Sequence, residues 1–300
     1  MSRQNKDTVR QVLGRYIDLD LYANSVDRDM QALLDELLEE CAAVIAAESG
    51  LSTKAMYSIA YKAIKEKTEA FGAILNDRLE KEAGKIKESQ EQFLSSLYGS
   101  MLKKADIKTG RILFAPFNGK DTVRSFADRT KTNILRSYDN AMRSGYIFGK
   151  TSGDIIQQAA GNLGSVGKGM RNGIITAVTS FAKQTDRLSF LMSGIPVVWI
   201  STLDGNQCLL CTSLNGTEYK NPSLAPAYPA HYNCRCVLIP AGSVKDNIPG
   251  YEEYIGSLSD DEQRHILGRN RFEMYKDGKL SLRQFINNGE ILSVGELEQL

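Results

Sequence analysis

Between Met30 and Ile45 the apolar side chains fall three or four positions apart, at Met30, Leu33, Leu34, Leu37, Leu38, Cys41, Val44 and Ile45, with Asp35, Glu36, Glu39 and Glu40 between them. That spacing marks one face of an amphipathic α-helix, which must bury its stripe against another element. The same face occurs earlier in Val9, Val12, Leu13, Tyr16 and Ile17, with a break predicted at Asn24-Ser25 and a stop at Ser49-Gly50. Cys41 lies on the stripe and reads as a core residue rather than a ligand. From Ser52 to Leu102 there is no proline, and Ile64, Phe71, Leu75, Leu79, Ile86, Phe93 and Leu97 recur at heptad-like intervals, which predicts one long helix. Two arrangements fit: a hairpin packed on its own neighbours, or a coiled coil through which residues 52–102 self-associate or meet an assembly partner. Gly72, Gly84 and the polar gap from Lys81 to Lys85 interrupt the seam and favour the hairpin.

Further along, the pattern changes several times. Residues 103 to 121 read as a locally basic linker, with Pro116, Asn118 and Gly119 breaking regular structure. Val123, Phe126, Ala127, Ile134, Leu135, Tyr138 and Met142 predict an amphipathic helix stopped by Gly145. Met170, Ile174, Ile175, Val178, Phe181, Ala182, Leu188 and Leu191 predict another, closed by Gly194 and Pro196. The stretch Gly161 to Gly169 superficially resembles a phosphate loop. A Walker loop requires glycine where Asn162 stands, Ser or Thr where Gly169 stands, and a leading strand where Asp154 to Ala160 reads as helix. A flexible turn without nucleotide hydrolysis is therefore expected. Ile195-Pro196-Val197-Val198-Trp199-Ile200 is a β-branched and aromatic run that predicts a buried strand, and Asn215-Gly216 predicts a two-residue hairpin turn. After Pro240 the chain returns to helices: Ser259-Asp260-Asp261-Glu262 and Ser293-Val294-Gly295-Glu296 have the capping-box form, with turns at Asp277-Gly278 and Asn288-Gly289. The expected fold is mainly α, with long N-terminal helices over residues 1–110. A helical middle domain with a small zinc-stapled β segment follows over 111–245, and short C-terminal helices over 246–300.

Chemistry concentrates in one place. Four of the five cysteines and one of the two histidines fall between positions 208 and 236: Cys208, Cys211, His231, Cys234 and Cys236. Thiolate and imidazole are the ligands zinc accepts at tetrahedral geometry, and a Cys-x2-Cys turn presents two sulfurs to one ion. Five donors exceed the four that such an ion needs. In an extended Cys-Arg-Cys segment the two thiols point to opposite faces, so one of Cys234 and Cys236 is expected to ligate unless the backbone bends. Between the halves, Pro222, Pro226 and Pro229 forbid a helix, so the segment reads as a loop pinned at both ends. Two disulfides, a catalytic zinc and a Cys/His nucleophile are rival readings. A reducing cytoplasm disfavours the first, the absence of a His-Glu-x-x-His base motif the second, and the tight clustering the third. His265 stands apart from the cluster. Arg235 is placed to hold a carboxylate such as Asp204, or to face solvent.

Charge narrows the function. Lys and Arg total 37 against 36 for Asp and Glu, so the net +1 supplies no global field for DNA or anionic lipid. From Trp199 to Pro240 only Lys220 and Arg235 carry fixed positive charge, too few to neutralise several phosphates. The N-terminus is polar, without the apolar stretch of a signal peptide, and no run approaches a membrane span. With 42% hydrophobic residues the chain can bury a sizeable core.

Trp199-Ile200-Ser201-Thr202-Leu203-Asp204, then Cys208-x2-Cys211, Leu214-Asn215-Gly216 and Pro229-Ala230-His231-Tyr232-Asn233-Cys234-Arg235-Cys236, resemble in order and spacing the signature of the Mu F-like minor head proteins of tailed bacteriophages. Residues from about Thr122 to Leu191 are similar to that family's preceding helical region, and Gly268 to Gly278 weakly to its continuation, so about half of the chain is covered. Tyr232 stands where the family usually has proline, and residues 1 to about 110 match no family by eye. The resemblance implies a non-enzymatic virion component, packaged in the capsid interior near the portal after synthesis in the host cytoplasm. It implies a role in head assembly, with ejection alongside the DNA as a further expectation. Its expected partners are the portal or other head proteins and packaged DNA, while the Cys/His spacing itself predicts a structural Zn2+. A zinc-dependent DNA-binding or regulatory module is the alternative.

Overall fold

The periodic apolar stripes become four long helices that share one core. In the computed structural model, which describes residues 3–47, 53–103, 106–205, 207–243, 248–287 and 290–300, they are α1 (Arg3–Ala47), α2 (Lys54–Tyr98), α4 (Val123–Phe148) and α5 (Ser152–Ser193), with the single turn α3 (Thr109–Leu113) between the second and third. Cross-helix contacts fix their directions. Arg15 Nε donates to Gln90 Oε1 and Arg78 pairs with Asp29, so α1 and α2 run antiparallel. Lys131 pairs with Glu69, and Tyr57 donates to Asp139, which makes α2 and α4 antiparallel. Tyr16 donates to Asp186 and Arg171 pairs with Asp27, so α5 runs opposite to α1 and closes an up-down-up-down bundle.

Of the predicted seam in α2, Ile64, Phe71, Leu75, Leu79 and Ile86 are buried inside the chain, among α1, α4 and α5. The polar gap in that seam holds a buried carboxylate: Glu82, fully buried, accepts from Tyr22 and pairs with Arg78 and Lys85. Cys41 is completely buried on its stripe, as expected. Two glycines let helices approach closely. A methyl group on Gly145 would lie 2.2 Å from Ile155 Cδ1, and one on Gly173 would lie 2.1 Å from the Phe126 ring.

Several local expectations are corrected. α1 continues through Asn24-Ser25, because Asn24 Nδ2 donates to the Asp20 carbonyl, Ser25 Oγ donates to the Tyr22 carbonyl, and Ala23 and Val26 are fully buried on either side. The expected stop at Ser49-Gly50 lies outside the described residues. The 103–121 stretch is not simply a solvated linker: Ile107, Ile112 and Phe117 are buried, and Phe117 packs edge-on against Phe126. Helix α4 runs past Gly145 to Phe148 and ends on Gly149 at φ 64°. The glycine-rich stretch 161–169 is not a turn. It lies inside α5, where the burial of Ile155, Ala159, Leu163 and Met170 at helical spacing outweighs the weak helix propensity of glycine.

A three-stranded antiparallel sheet lies beside the bundle. Strand β1 (Val197–Ile200) is central, flanked by β2 (Glu218–Tyr219) and β3 (Val237–Pro240). Val198, Val237 and Ile239 join the bundle core, while Val197, Trp199 and Leu238 face a second core with Leu94, Tyr98, Phe190 and Tyr228. The predicted boundary near residue 110 falls within a shared core, since residues from Val12 to Ile239 contribute to one cluster. Past Pro240, the short helices α7 (Tyr251–Ser257), α8 (Asp260–Leu267) and α9 (Arg269–Lys276), the β4–β5 hairpin (Ile286–Asn287 with Glu290–Ile291) and α10 (Val294–Leu297) pack around Ile255, Phe272 and Phe285. Both predicted capping boxes form, at Ser259/Glu262 and Ser293/Glu296. Gly278 takes φ 69° at the predicted turn, and Asn288-Gly289 lies outside the described residues. No helix among the described residues is long and apolar enough to cross a membrane.

Candidate metal centre

The two halves of the Cys/His motif meet beyond the end of the β1–β3 pair, where Ile200 stands opposite Val237. Cys208 is the N-cap of the short helix α6 (Leu209–Leu214), its sulfur 3.4 Å from the Cys211 amide nitrogen, so one helical turn presents both thiols on the same side. The chain then leaves α6 through Asn215, at φ −59° and ψ 129°, and Gly216, at φ 78°. This is a type II turn from helix to strand rather than the predicted strand-to-strand hairpin. Asn215 also fixes its surroundings: its Oδ1 accepts from the Ser201 amide, and its Nδ2 donates to the Pro249 carbonyl.

The second half arrives through a cis Tyr228-Pro229 bond and a tight turn in which the Cys234 amide donates to the His231 carbonyl at 3.3 Å. Asn233 occupies the left-handed region at φ 57° there, a conformation asparagine tolerates better than most residues. This bend corrects the expectation that Cys234 and Cys236 face opposite sides. Both thiols are buried and point toward Cys211, because the Cys-Arg-Cys segment precedes β3 and is not itself a regular strand.

His231 Nε2 lies 3.2 Å from Cys208 Sγ and 3.0 Å from Cys211 Sγ, and Cys211 Sγ lies 4.0 Å from Cys234 Sγ. Two donor groups result, Cys208/Cys211/His231 and Cys211/Cys234/Cys236, each with ligand atoms within 4.8 Å of one another and sharing Cys211. Sulfurs around a tetrahedral zinc ion stand about 3.8 Å apart. Each group could hold a metal ion, and the two groups between them contain all five predicted residues. His265 is exposed on α8, and all five cysteines are free thiols.

The cluster distributes protons unevenly. Hydrogen bonding from Cys211, then from His231, holds the Cys208 thiol at about 4, and His231 is raised to about 9 chiefly by its contact with Cys208. Contacts with Cys211 and Cys236 hold Cys234 well below the usual thiol range, while its thiol neighbours, Cys208 first, push Cys211 far up. Cys236 is raised to about 12: the contact with Cys211 works the other way, but Cys234 and burial outweigh it. Protons are thus held most firmly on Cys211, Cys236 and His231. A metal ion would displace those remaining protons.

Of the surrounding shell, the sequence offered the Arg235–Asp204 pair, as one of two readings of Arg235, and left the rest unread. Arg235 and Asp204 form a two-pronged ion pair, one prong 3.0 Å from Arg235 Nη2 to Asp204 Oδ1. Ser201 Oγ donates to the Cys211 carbonyl and lies 3.5 Å from Cys236 Sγ. Helix α5 supplies most of the remaining support. Lys183, 1% exposed, donates to the Cys234 carbonyl, Gln184 to the Tyr228 carbonyl, and Arg187 to the carbonyls of Ser223, Ala225 and Pro226. Thr176 Oγ1 accepts from the Asn233 amide. The irregular loop therefore finds its hydrogen-bond partners on one helix face, as buried backbone requires. The available signal was the polar run Lys183-Gln184-Thr185-Asp186-Arg187 inside an otherwise apolar helix. Tyr232, at the position where proline was expected, packs its ring near Phe117, donates to Asp121 and accepts from Arg129. Compared with family models, curated proteins and solved structures, the chain matches none.

Proposed function

We propose that this centre is a structural zinc site and that the chain is a minor head protein of the Mu F-like kind. On this reading it is a non-enzymatic component of a phage capsid interior that assists head assembly near the portal. The observation that carries the metal reading is the convergence of both motif halves on Cys211, with thiol and imidazole donors at coordination spacing. Cys208, Cys211, His231 and Cys234 would hold the ion. Cys236, which already has Ser201 as a partner, would remain a thiol in the shell. When bound, zinc supplies a cross-link between α6 and the turn before β3, and it contributes on the order of 10 kcal/mol of apparent folding energy in small zinc domains.

The head-protein reading is supported by the motif's order and spacing along the chain. Metal analysis of purified protein tests the first half: one zinc per chain is expected, lost on Cys208→Ser, Cys211→Ser or Cys234→Ser and kept on Cys236→Ser. Cobalt substitution should give the absorption of a tetrahedral thiolate site. The second half is tested by mass spectrometry and cross-linking of purified phage heads. Recovery of the chain inside particles, cross-linked to the portal, is expected, and its absence from every head intermediate would overturn the assignment.

A further inference from the structure

A cavity of about 370 Å3 lies where α1 and α5 meet the segments after β1 and His231, lined in part by Leu13, Tyr16, Ile17, Asp20 and Lys183. Lys183 is 1% exposed, yet it forms no ion pair with a carboxylate among the described residues. Its ammonium donates to the Cys234 carbonyl and sits 5.5 Å from the ring centres of Tyr16 and Tyr228. Its charge is felt by Cys234 and Asp186, but the carbonyl engages one of its three N–H donors, and a buried ammonium is costly unless the remaining donors are also paired. Asp186 is already engaged by Tyr16 and Gln90. Asp20 lines the same cavity and feels both Lys183 and Arg235 without pairing with either. Burial raises the Asp20 carboxyl, so an N–H donor there would be favoured.

The cavity thus offers a cation on the α5 wall, an acceptor on the α1 wall and apolar side chains beside them. Leu13 is partly buried, and Ile17 is 61% exposed at the rim. Thr179 and Thr202 add hydroxyls, and the Arg235–Asp204 pair stands at the edge. Lining charges of both signs disfavour a simple polyanion. They suit a ligand with a carboxylate, a neighbouring N–H and an apolar body.

We propose that this cavity binds the carboxylate of an apolar α-amino or α-amido acid, with the carboxylate on Lys183, the adjacent N–H on Asp20 and the side chain against Leu13 and Ile17. Two sources share that chemistry: a free amino acid, and the C-terminal residue of a polypeptide. The inference depends on neither the identity of the metal nor the head-protein reading.

Titration calorimetry on the full metal-loaded chain, with four probes, tests it. L-leucine or N-acetyl-L-leucine is expected to bind, with L-leucinamide, which lacks the carboxylate, and 4-methylpentanoate, which lacks the N–H, at least about tenfold weaker. Tighter binding of N-acetyl-L-leucine identifies a chain terminus, and tighter binding of L-leucine a free amino acid. Asp20→Asn should weaken L-leucine by about tenfold while zinc content and helicity stay unchanged. Lys183→Met should abolish the preference for leucine over leucinamide. If that variant does not fold, the four probes and Asp20→Asn still decide. The proposal is overturned if neither L-leucine nor N-acetyl-L-leucine binds at about 10 mM, if leucinamide binds as well as leucine, or if Asp20→Asn leaves leucine affinity unchanged. Those outcomes would assign Lys183 to balancing the thiolates alone.

Discussion

The helical bundle and the Cys/His segment are held in opposite ways. In the bundle, apolar stripes on α1, α2, α4 and α5 meet each other, and the polar groups of the backbone are satisfied within each helix. Between Ser201 and Cys236 there is little regular structure, and the backbone is satisfied by side chains reaching in from α5, by Ser201 and Asn215, and by the Cys/His cluster. The first region is stable because area is buried. The second keeps its shape because specific donors find specific acceptors, so it should fail locally and early when one of them is removed.

Metal removal should break the comparison most sharply. Chelation, or Cys211→Ser, which removes the thiol shared by both donor groups, is expected to raise amide exchange throughout 201–236 while far-UV helicity changes little. The apparent loss is on the order of 10 kcal/mol for that segment, and hydrogen exchange followed by mass spectrometry localises it. Parallel loss of the helical signal would show that the two regions are one cooperative unit.

A core truncation probes the other side. Leu79→Ala, at a fully buried position of α2, should cost about 2–5 kcal/mol of global stability in denaturant melts without releasing metal.

Within the bundle, Asp186 on α5 accepts from Tyr16 and Gln90 and is raised to about 7 chiefly by burial. Its folded pKa exceeds its unfolded value of 3.8, so the folded state binds more protons between the two. Its contribution is present below about pH 4 and is lost as pH rises toward 7. Asp186→Asn should flatten that part of the stability profile, by up to roughly 4 kcal/mol across the window.

Smaller effects sharpen the contrast. Arg187→Ala orphans the carbonyls of Ser223, Ala225 and Pro226 and should cost about 1–3 kcal/mol, read as faster exchange in 222–229 alone. Gly161→Ala should instead stabilise the bundle by about 1 kcal/mol, since no heavy atom lies within 4 Å of the added methyl group and the site is mid-helix. A raised melting temperature with unchanged metal content checks it.

Much of this was legible along the chain. The stripes of α1, α2, α4 and α5, the core position of Cys41, the strand at Val197–Ile200, the capping boxes at Ser259 and Ser293 and all five candidate metal donors follow from spacing and residue type. The misreadings share a cause. Asn24-Ser25 and Gly161–Gly169 look like breaks by propensity, yet flanking buried positions such as Ala23, Val26, Leu163 and Met170 carry the helix through. Ile107, Ile112 and Phe117 looked like parts of a linker because an isolated apolar residue gives no period to read.

The sequence by itself determined which segments are amphipathic and which side chains could bind a metal, since periodicity and donor chemistry are local properties of the chain. Only the tertiary structure decided that Cys234 and Cys236 turn to the same side, that Arg235 closes on Asp204, and that Lys183, Gln184 and Arg187 grasp a loop some forty residues away. The direction of a side chain in irregular backbone is set by contacts with distant segments, and no local pattern encodes those.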